Sequence, residues 1–230
     1  MESRAFASAS AFPVLMRKVY VWMTLALVVT AATAYGVLYS PGIFEAIVSN
    51  SVLFWGMLIA EFLLVLGLSA AINRMSLFTA TLAFLLYSVV NGATLSVILY
   101  AFTEASVASV FLITAGTFAT MAVVGYTTKK DLTSLGKMFM FAIIGIVIAT
   151  LVNVFLIKST GVDLLISIVG VLVFVGLTAY DSQKIKNMLM MAPDAGENMQ
   201  KLALLGSLTL YLDFINLFIF LLRIFGGRRE

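Results

Sequence analysis

Seven stretches of about 20 apolar residues, separated by short polar segments, constrain this chain more than any other feature. A helix of that length crosses the roughly 30 Å hydrocarbon core of a bilayer. The stretches are residues 19–39, 52–72, 77–100, 106–126, 138–157, 164–181 and 203–222. They predict an all-α integral membrane protein, a bundle of seven transmembrane helices embedded in the lipid bilayer.

The segments outside these stretches are too short for a soluble domain. The longest are an N-terminal tail, residues 1–18, and a loop, residues 182–202. Met1–Ala11 lacks the features of a cleavable signal, so the first helix is expected to stay in the protein. We therefore predict a cytoplasmic tail followed by one transmembrane domain, residues 19–230. All three prolines are predicted to lie outside the helices that cross the membrane: Pro13, Pro41 and Pro193.

The basic residues lie mainly in segments on one side of the predicted bundle. With the N-terminus inside, ten Lys and Arg residues are cytoplasmic and four lie outside. The positive-inside rule then predicts a cytoplasmic N-terminus and an external C-terminus, although three of the four outside residues belong to the C-terminal end. The net charge of +3 comes from Lys and Arg residues in short loops, where they set the orientation in the membrane. It therefore does not indicate a nucleic-acid partner.

Histidine and cysteine are both absent from the sequence. This excludes disulfides, thiolate and imidazole metal sites, and catalytic pairs built on Ser-His or Cys-His. Any chemistry must use carboxylates, amides, hydroxyls and the backbone. We predict no bound cofactor.

Three charged residues lie inside the seven stretches, and all are acids: Glu61, Asp181 and Asp213. A charged acid at the bilayer centre costs about 2.5 to 3.5 kcal/mol even on insertion scales, so such a residue is a candidate for function. The alternative is a protonated or hydrogen-bonded structural group, and this alternative is strongest for Glu61.

The predicted helix boundaries separate Asp181 from Asp213. Asp181 ends the sixth stretch, and Asp213 lies about 15 Å deeper by the rise of a helix. The carboxyls can meet if the seventh helix tilts or the sixth helix ends deeper. Two acids in such a site cannot both ionise easily and would titrate as a unit.

Acids surrounded by neutral oxygen atoms suit a hard cation such as Ca²⁺. Candidate neutral ligands are Asn216, Asn91 and Asn153, although each could instead form a hydrogen bond between helices. No segment matches an EF-hand loop. The sequence therefore favours weak, transient binding of calcium at Asp181 and Asp213, with Glu61 and Asn216 along the path.

Six segments of the sequence, taken in order, resemble the Bax inhibitor-1 family, in particular its bacterial YccA-like and YbhL-like branch. They are MRKVYVWMTLALVVTAATAY, AEFLLVLGLSAAINRMS, LLYSVVNGATLSVIL, GYTTKKDLTSLGKMFMF, GLTAYDSQKIKNM and LYLDFINLF. The resemblance implies a seven-helix bundle with the last helix near the centre, a bacterial plasma-membrane location and a pH-sensitive calcium leak.

The same resemblance assigns roles to particular residues. Asp181 in TAYDSQKIK and Asp213 in YLDFINLF match the family's aspartate pair, thought to form a proton-dependent latch. Glu61 in AEFLLV matches an acid of the cation path, and Arg74 in AINRMS resembles a basic residue that engages one aspartate.

These observations predict a pH-sensitive calcium leak channel rather than an enzyme, and two other functions remain open. One is a non-transporting regulator, whose flexible segment Met1–Val14 recruits a membrane-bound protease or another partner. The other is an intramembrane aspartyl protease, suggested by two membrane aspartates and the dipeptide Tyr180-Asp181. Against the protease, Asp213 follows Tyr211-Leu212 and not the Gly-x-Gly motif of that class.

Overall fold

The computed structural model describes residues 2–229, with side chains described from Ala11 onward. Within this part of the chain there are eight α-helices and no β-strand. The helices are α1 Glu2–Leu38, α2 Pro41–Ser49, α3 Ser51–Ala71, α4 Leu77–Tyr100, α5 Glu104–Thr127, α6 Thr133–Val152, α7 Thr160–Met190 and α8 Glu197–Phe225.

Seven helices are long and apolar enough to cross a membrane, which confirms the predicted fold class. The seven spans are Ala11–Leu38 within α1, Ser51–Ala71, Leu77–Tyr100, Glu104–Thr127, Thr133–Ile157, Thr160–Met190 and Glu197–Phe225. The last helix is the most enclosed: 61% of its most apolar stretch is buried, against 6% for α3. An exposed apolar helix such as α3 suits contact with lipid tails.

The first helix begins much earlier than predicted. The expected unstructured tail is instead helical from Glu2, and Met1 lies outside the described residues. Pro13 consequently lies inside α1 and inside its span, so the prediction that all prolines fall outside the spans is wrong. Hydropathy marks where a helix meets hydrocarbon, whereas helix ends depend on backbone hydrogen bonds. Leu15, fully buried, shows that packing continues before residue 19.

Two local elements between spans were not predicted. The helix α2 starts at Pro41, where a missing backbone N–H costs nothing because the first helical N–H groups have no partner in the helix. A π-helical turn, Asn153–Ile157, extends α6 and ends at Lys158 in the left-handed conformation, with φ 53°. Asn153 closes this turn: its Oδ1 accepts from Ser159 N at 3.0 Å, and its Nδ2 donates to Ser159 O at 3.1 Å.

The long loop predicted over residues 182–202 is wrong, because α7 continues to Met190. The lysines after Asp181 lower the local hydropathy, but the helix still buries Ile185 and Leu189. Polar residues on one face of such a helix do not end it. Pro193 falls in the short turn before α8, where a proline cannot continue a helix. Asp181 therefore lies inside a helix and not at its end.

The chain divides into two compact units. The first contains the residues up to Phe102, Met188–Tyr211 and Arg229; the second contains Thr103–Asn187 and Leu212–Arg228. The division cuts α8, whose first part belongs to one unit and whose second part belongs to the other. The predicted single domain over residues 19–230 stays a prediction.

In the first unit, α1 and α3 both pack against α4. Gly92 permits a close crossing of α1 and α4, since an added Cβ would lie 2.5 Å from the carbonyl oxygen of Thr30. The start of α8 holds the turn between α3 and α4. Lys201 Nζ donates to Met75 O at 3.2 Å, and Leu77 N donates to Glu197 Oε1 at 2.8 Å.

In the second unit, small residues and aromatic rings fix the helices against one another. A Cβ added at Gly125 of α5 would collide with the backbone of Ala179 in α7. The rings of Phe111 and Phe118 in α5 each lie 5.5 Å from the ring of Phe214 in α8. These contacts hold α7 and the second part of α8 on α5.

The sixth helix begins beside an acid that stabilises its first turn. Asp131 Oδ1 accepts from Thr133 N at 2.9 Å. The hydrogen bonds from Thr133 lower the pKa of the exposed Asp131 carboxyl, because they favour its ionised form. A carboxylate at this position also suits the positive end of the helix dipole.

Candidate functional site

The second unit brings Asp181 of α7 and Asp213 of α8 together. Their carboxyl groups lie close enough for a hydrogen bond between them, and their residues are only 7% and 4% exposed. Two ionised carboxylates offer acceptors only, so this bond requires a proton on one of them. The arrangement is therefore a buried acid pair that can share one proton.

The packing around Ala179 and Tyr180 explains why α7 presents Asp181 to α8. Gly125 lets the α5 backbone approach Ala179, and Gly136 of α6 lies directly against the ring of Tyr180. A Cβ at Gly125 would require movement of the α7 backbone, and a Cβ at Gly136 would require movement of the Tyr180 ring. The position of Asp181 thus depends on two close helix contacts immediately before it in the sequence.

The surroundings of the acid pair contain one nearby cation and two polar atoms without partners. Lys184, which is exposed, interacts electrostatically with both carboxyls. Asp213 Oδ2 has no hydrogen-bond partner within the described part of the chain, and neither has Ser182 Oγ. A buried carboxylate oxygen of this kind can take up a proton or a hard cation.

Gln183 ties the segment between α5 and α6 to α7, two residues after Asp181. Its Nε2 donates to Lys130 O at 2.8 Å, and its Oε1 accepts from Leu132 N at 2.9 Å. The side chain is 8% exposed. Both bonds go to backbone atoms of the loop, so they do not depend on which side chains the loop carries.

We expect the Gln183→Leu variant to release this loop. The Leu132 amide loses its acceptor, and its hydrogen exchange should accelerate at least about tenfold, because a lost buried hydrogen bond is worth about 1–3 kcal/mol. Hydrogen-exchange mass spectrometry measures this directly. The matched control is Lys186→Met, which removes a different bond from α7, to Tyr126 O. Unchanged exchange at Leu132 in Gln183→Leu would contradict the assignment.

The first unit contains a second polar cluster, centred on Glu61 of α3. Asn91 Nδ2 of α4 donates to Glu61 Oε2 at 3.0 Å, and Thr94 Oγ1 donates to Glu61 Oε1. Tyr211 OH of α8 donates to Asn91 Oδ1 at 2.9 Å. Thr30 Oγ1 of α1 lies 2.6 Å from Tyr211 OH. Hydrogen bonds thus connect a half-buried carboxylate to three further helices.

The other predicted site residues lie apart from these contacts. Asn216 Nδ2 donates to Leu212 O of its own helix at 2.8 Å. Asn153, a candidate neutral ligand, instead closes the π-helical turn described above. Arg74 lies in the exposed turn after α3, and the described residues offer it no salt bridge. The roles predicted for Arg74 and Asn216 stay predictions.

Sequence reasoning did not single out Thr94, Tyr211 and Thr30 as members of the cluster. Threonine and tyrosine are ordinary residues in membrane helices, and only their partners set these three apart. One signal was available for Thr94, since it lies three residues after Asn91 and thus on the same helix face.

Comparison with known proteins agrees with the six motifs. The sequence pattern of the family described as inhibitor of apoptosis-promoting Bax1 matches residues 13–230. The chain belongs to the Bax inhibitor-1 family. Among Bax inhibitor-1 relatives, inner membrane protein YbhL of Escherichia coli K12 is 49% identical over 93% of this chain and 92% of its own length. An uncharacterized protein of Borreliella burgdorferi is 47% identical over 94% of this chain and 92% of its own length. An uncharacterized membrane protein of Streptococcus pyogenes serotype M1 is 38% identical, with 91% and 90% covered.

These findings confirm the Bax inhibitor-1 resemblance predicted from the motifs. The relative named as an inner membrane protein and the seven apolar helices together support a multi-pass inner membrane protein. The predicted orientation of the two ends stays a prediction.

Proposed function

We propose that this Bax inhibitor-1 protein is a pH-sensitive cation leak channel that passes calcium. The observation that carries the proposal is the close approach of the buried carboxyls of Asp181 and Asp213, within reach of a hydrogen bond when one of them is protonated. A bond that exists only while a proton is shared is a switch that pH can operate in a protein without histidine.

Protonation gates the path through electrostatic repulsion. While the pair holds a proton, it carries at most one negative charge and ties α7 to α8. When the proton leaves, two negative charges face each other in a buried site, where repulsion is only weakly screened. The carboxyls then separate or bind a cation, and either change breaks the bond between the helices.

A hard cation suits the groups that the two units provide. The acid pair offers carboxylate oxygens, including Asp213 Oδ2, which has no hydrogen-bond partner among the described residues. Glu61 adds a carboxylate held by neutral amide and hydroxyl groups. Calcium accepts such oxygen ligands with variable coordination number and geometry. The absence of an EF-hand loop in the sequence fits transient binding along a path rather than tight storage.

The proposal is tested by flux in liposomes loaded with a calcium indicator. Purified wild-type protein should dissipate a calcium gradient faster than protein-free vesicles, at a rate that differs between mildly acidic and mildly alkaline pH. The matched control is Asp163→Asn, which removes an acid of α7 that pairs with Arg223 at 3.1 Å and not with Asp213. This control should keep the wild-type pH profile. A wild-type rate equal to that of protein-free vesicles would refute the leak.

The acid pair also bears on the intramembrane aspartyl protease, since two aspartates sharing a proton are the machinery of aspartic proteases. A protease must admit water and a peptide to both carboxyls, but Asp181 and Asp213 are almost fully buried. Cleavage of a membrane-spanning reporter peptide that either aspartate substitution abolishes would favour the protease over the leak.

A further inference from the structure

Thr94 is placed to exchange one hydrogen-bond acceptor for another. Its hydroxyl carries one hydrogen, and three acceptors lie within reach. They are Glu61 Oε1, Asn91 O at 3.0 Å and Val90 O at 3.3 Å. The carboxylate is the strongest acceptor of the three because it is charged. Thr94 therefore donates to Glu61 as long as nothing else binds Oε1.

The two alternative acceptors belong to the helix that carries Thr94. The hydroxyl hydrogen can point to either carbonyl by rotation about the Cβ–Oγ1 bond, with no movement of Oγ1 or of α4. After that turn, Thr94 Oγ1 and Glu61 Oε1 are neighbouring oxygens without a hydrogen between them. A hard cation is bound by closely spaced oxygens of this kind, at about 2.3–2.6 Å for calcium.

Asn91, in contrast, cannot turn away easily. Its Oδ1 accepts from Tyr211 and its Nδ2 donates to Glu61, so only one orientation of the amide suits both neighbours. Tyr211 has one hydrogen and gives it to Asn91. Thr30 also has one hydrogen, and its hydroxyl has two acceptors within reach, Ser88 O at 3.0 Å and Tyr211 OH at 2.6 Å. Two successive donors, Tyr211 and Asn91, thus point towards Glu61, and Tyr211, which is fully buried, anchors them.

The carboxylate of Glu61 receives hydrogen bonds but no opposite charge. Within the described residues it takes part in no salt bridge. Its two bonded neighbours are an amide and a hydroxyl, which stabilise the negative charge without neutralising it. A cation is the species that would complete the site.

We propose that Glu61 Oε1 and Thr94 Oγ1 are the paired ligands of a hard-cation site in the first unit, with Asn91 and Tyr211 as positioning residues. The Thr94 hydroxyl covers Oε1 when no cation is bound and turns to its own helix when a cation arrives. This inference rests on the proposed leak and names the ligands that Glu61 uses.

Three threonine variants test the site by calcium flux measured against calcium concentration. Thr94→Val keeps the shape and removes the oxygen, so the half-saturating calcium concentration should rise about tenfold, the usual order for a lost group at a metal site. Thr94→Ser keeps the hydroxyl and should stay within about twofold of wild type. Thr30→Val removes a buried hydroxyl of the same cluster that does not contact Glu61, and it should also stay within about twofold.

Two results would overturn the site. One is an equal half-saturating concentration in Thr94→Val and Thr94→Ser, and the other is a shift in Thr30→Val as large as that in Thr94→Val. A general loss of folding would lower the maximal rate in all variants and leave the half-saturating concentration alone. The pH profile should stay that of wild type in all three, because the acid pair is intact.

A second measurement separates failure of this site from failure of the leak. Infrared difference spectra with and without calcium report carboxylate stretching bands and need no transport. They are taken on Asp181→Asn/Asp213→Asn protein, so that the acid pair contributes nothing. A calcium-dependent carboxylate band that Glu61→Gln removes and Thr94→Val weakens supports the site even if no vesicle shows flux. A spectrum unchanged by Glu61→Gln refutes the site even if flux is present.

Discussion

The Gly125→Ala variant should unfold about 10 °C below the wild type, because one added methyl group forces two helix backbones apart. A Cβ at this position would collide with the carbonyl oxygen, carbonyl carbon and Cα of Ala179. These are backbone atoms of α7, so no side-chain rotation relieves the contact. Overpacking typically costs about 1–3 kcal/mol, and we expect the upper end here. Thermal unfolding of the detergent-purified protein measures the change.

The same helix supplies a matched control. Gly116 of α5 is exposed, and an added Cβ there would meet nothing within 4 Å. Gly116→Ala makes the same chemical change in the same helix and should leave the melting temperature as it is. If the two variants have the same melting temperature, the α5–α7 contact does not set the free energy of unfolding. The contact also matters for function, since Ala179 lies two residues before Asp181.

The amino-acid sequence was sufficient to predict the spans because hydropathy measures how strongly a segment prefers hydrocarbon to water, and this preference decides whether a helix crosses the membrane. Helix ends were harder to predict. The α7 helix runs nine residues past Asp181 through Lys184 and Lys186, and charged residues there lower hydropathy without breaking backbone hydrogen bonds. The early start of α1 has the same cause. Hydropathy locates the hydrocarbon core, whereas the backbone continues a helix as long as its groups pair.

The predicted site residues differ in how clearly the sequence distinguishes them from their neighbours. Asp181, Asp213 and Glu61 are conspicuous because a charge is rare within an apolar stretch. Thr94 and Tyr211 are not, since their importance lies in partners on other helices. Asn153 shows the opposite case: it was a candidate for a ligand or for a hydrogen bond between helices, and its hydrogen bonds in the structure close a local turn. The spacing of residues in the sequence does not show whether the hydrogen-bond partner of a side chain lies in the same turn or on another helix.

The Asp213→Asn variant should abolish the pH dependence of calcium flux. Asparagine cannot lose a proton in the accessible range, yet its amide N–H can still donate to Asp181. The variant thus keeps the bond that the wild type makes only when its pair is protonated. At alkaline pH it should therefore conduct as the wild type does at acidic pH, and liposome flux at several pH values measures this.

The acid pair makes a sharper prediction through its two single variants and the double variant. Under the proposed gate the two carboxyls share one proton, so Asp181→Asn alone, Asp213→Asn alone and both together should all give pH-independent flux at similar rates. The second substitution then adds almost nothing to the first, which is the non-additivity expected of groups that titrate as a unit. Two independent sensors would instead leave each single variant with part of the wild-type pH response. A single variant that keeps the full response would exclude the pair as the gate. If flux remained, proton sensing would then have to involve other carboxyls, such as Glu61 in the middle of the span Ser51–Ala71.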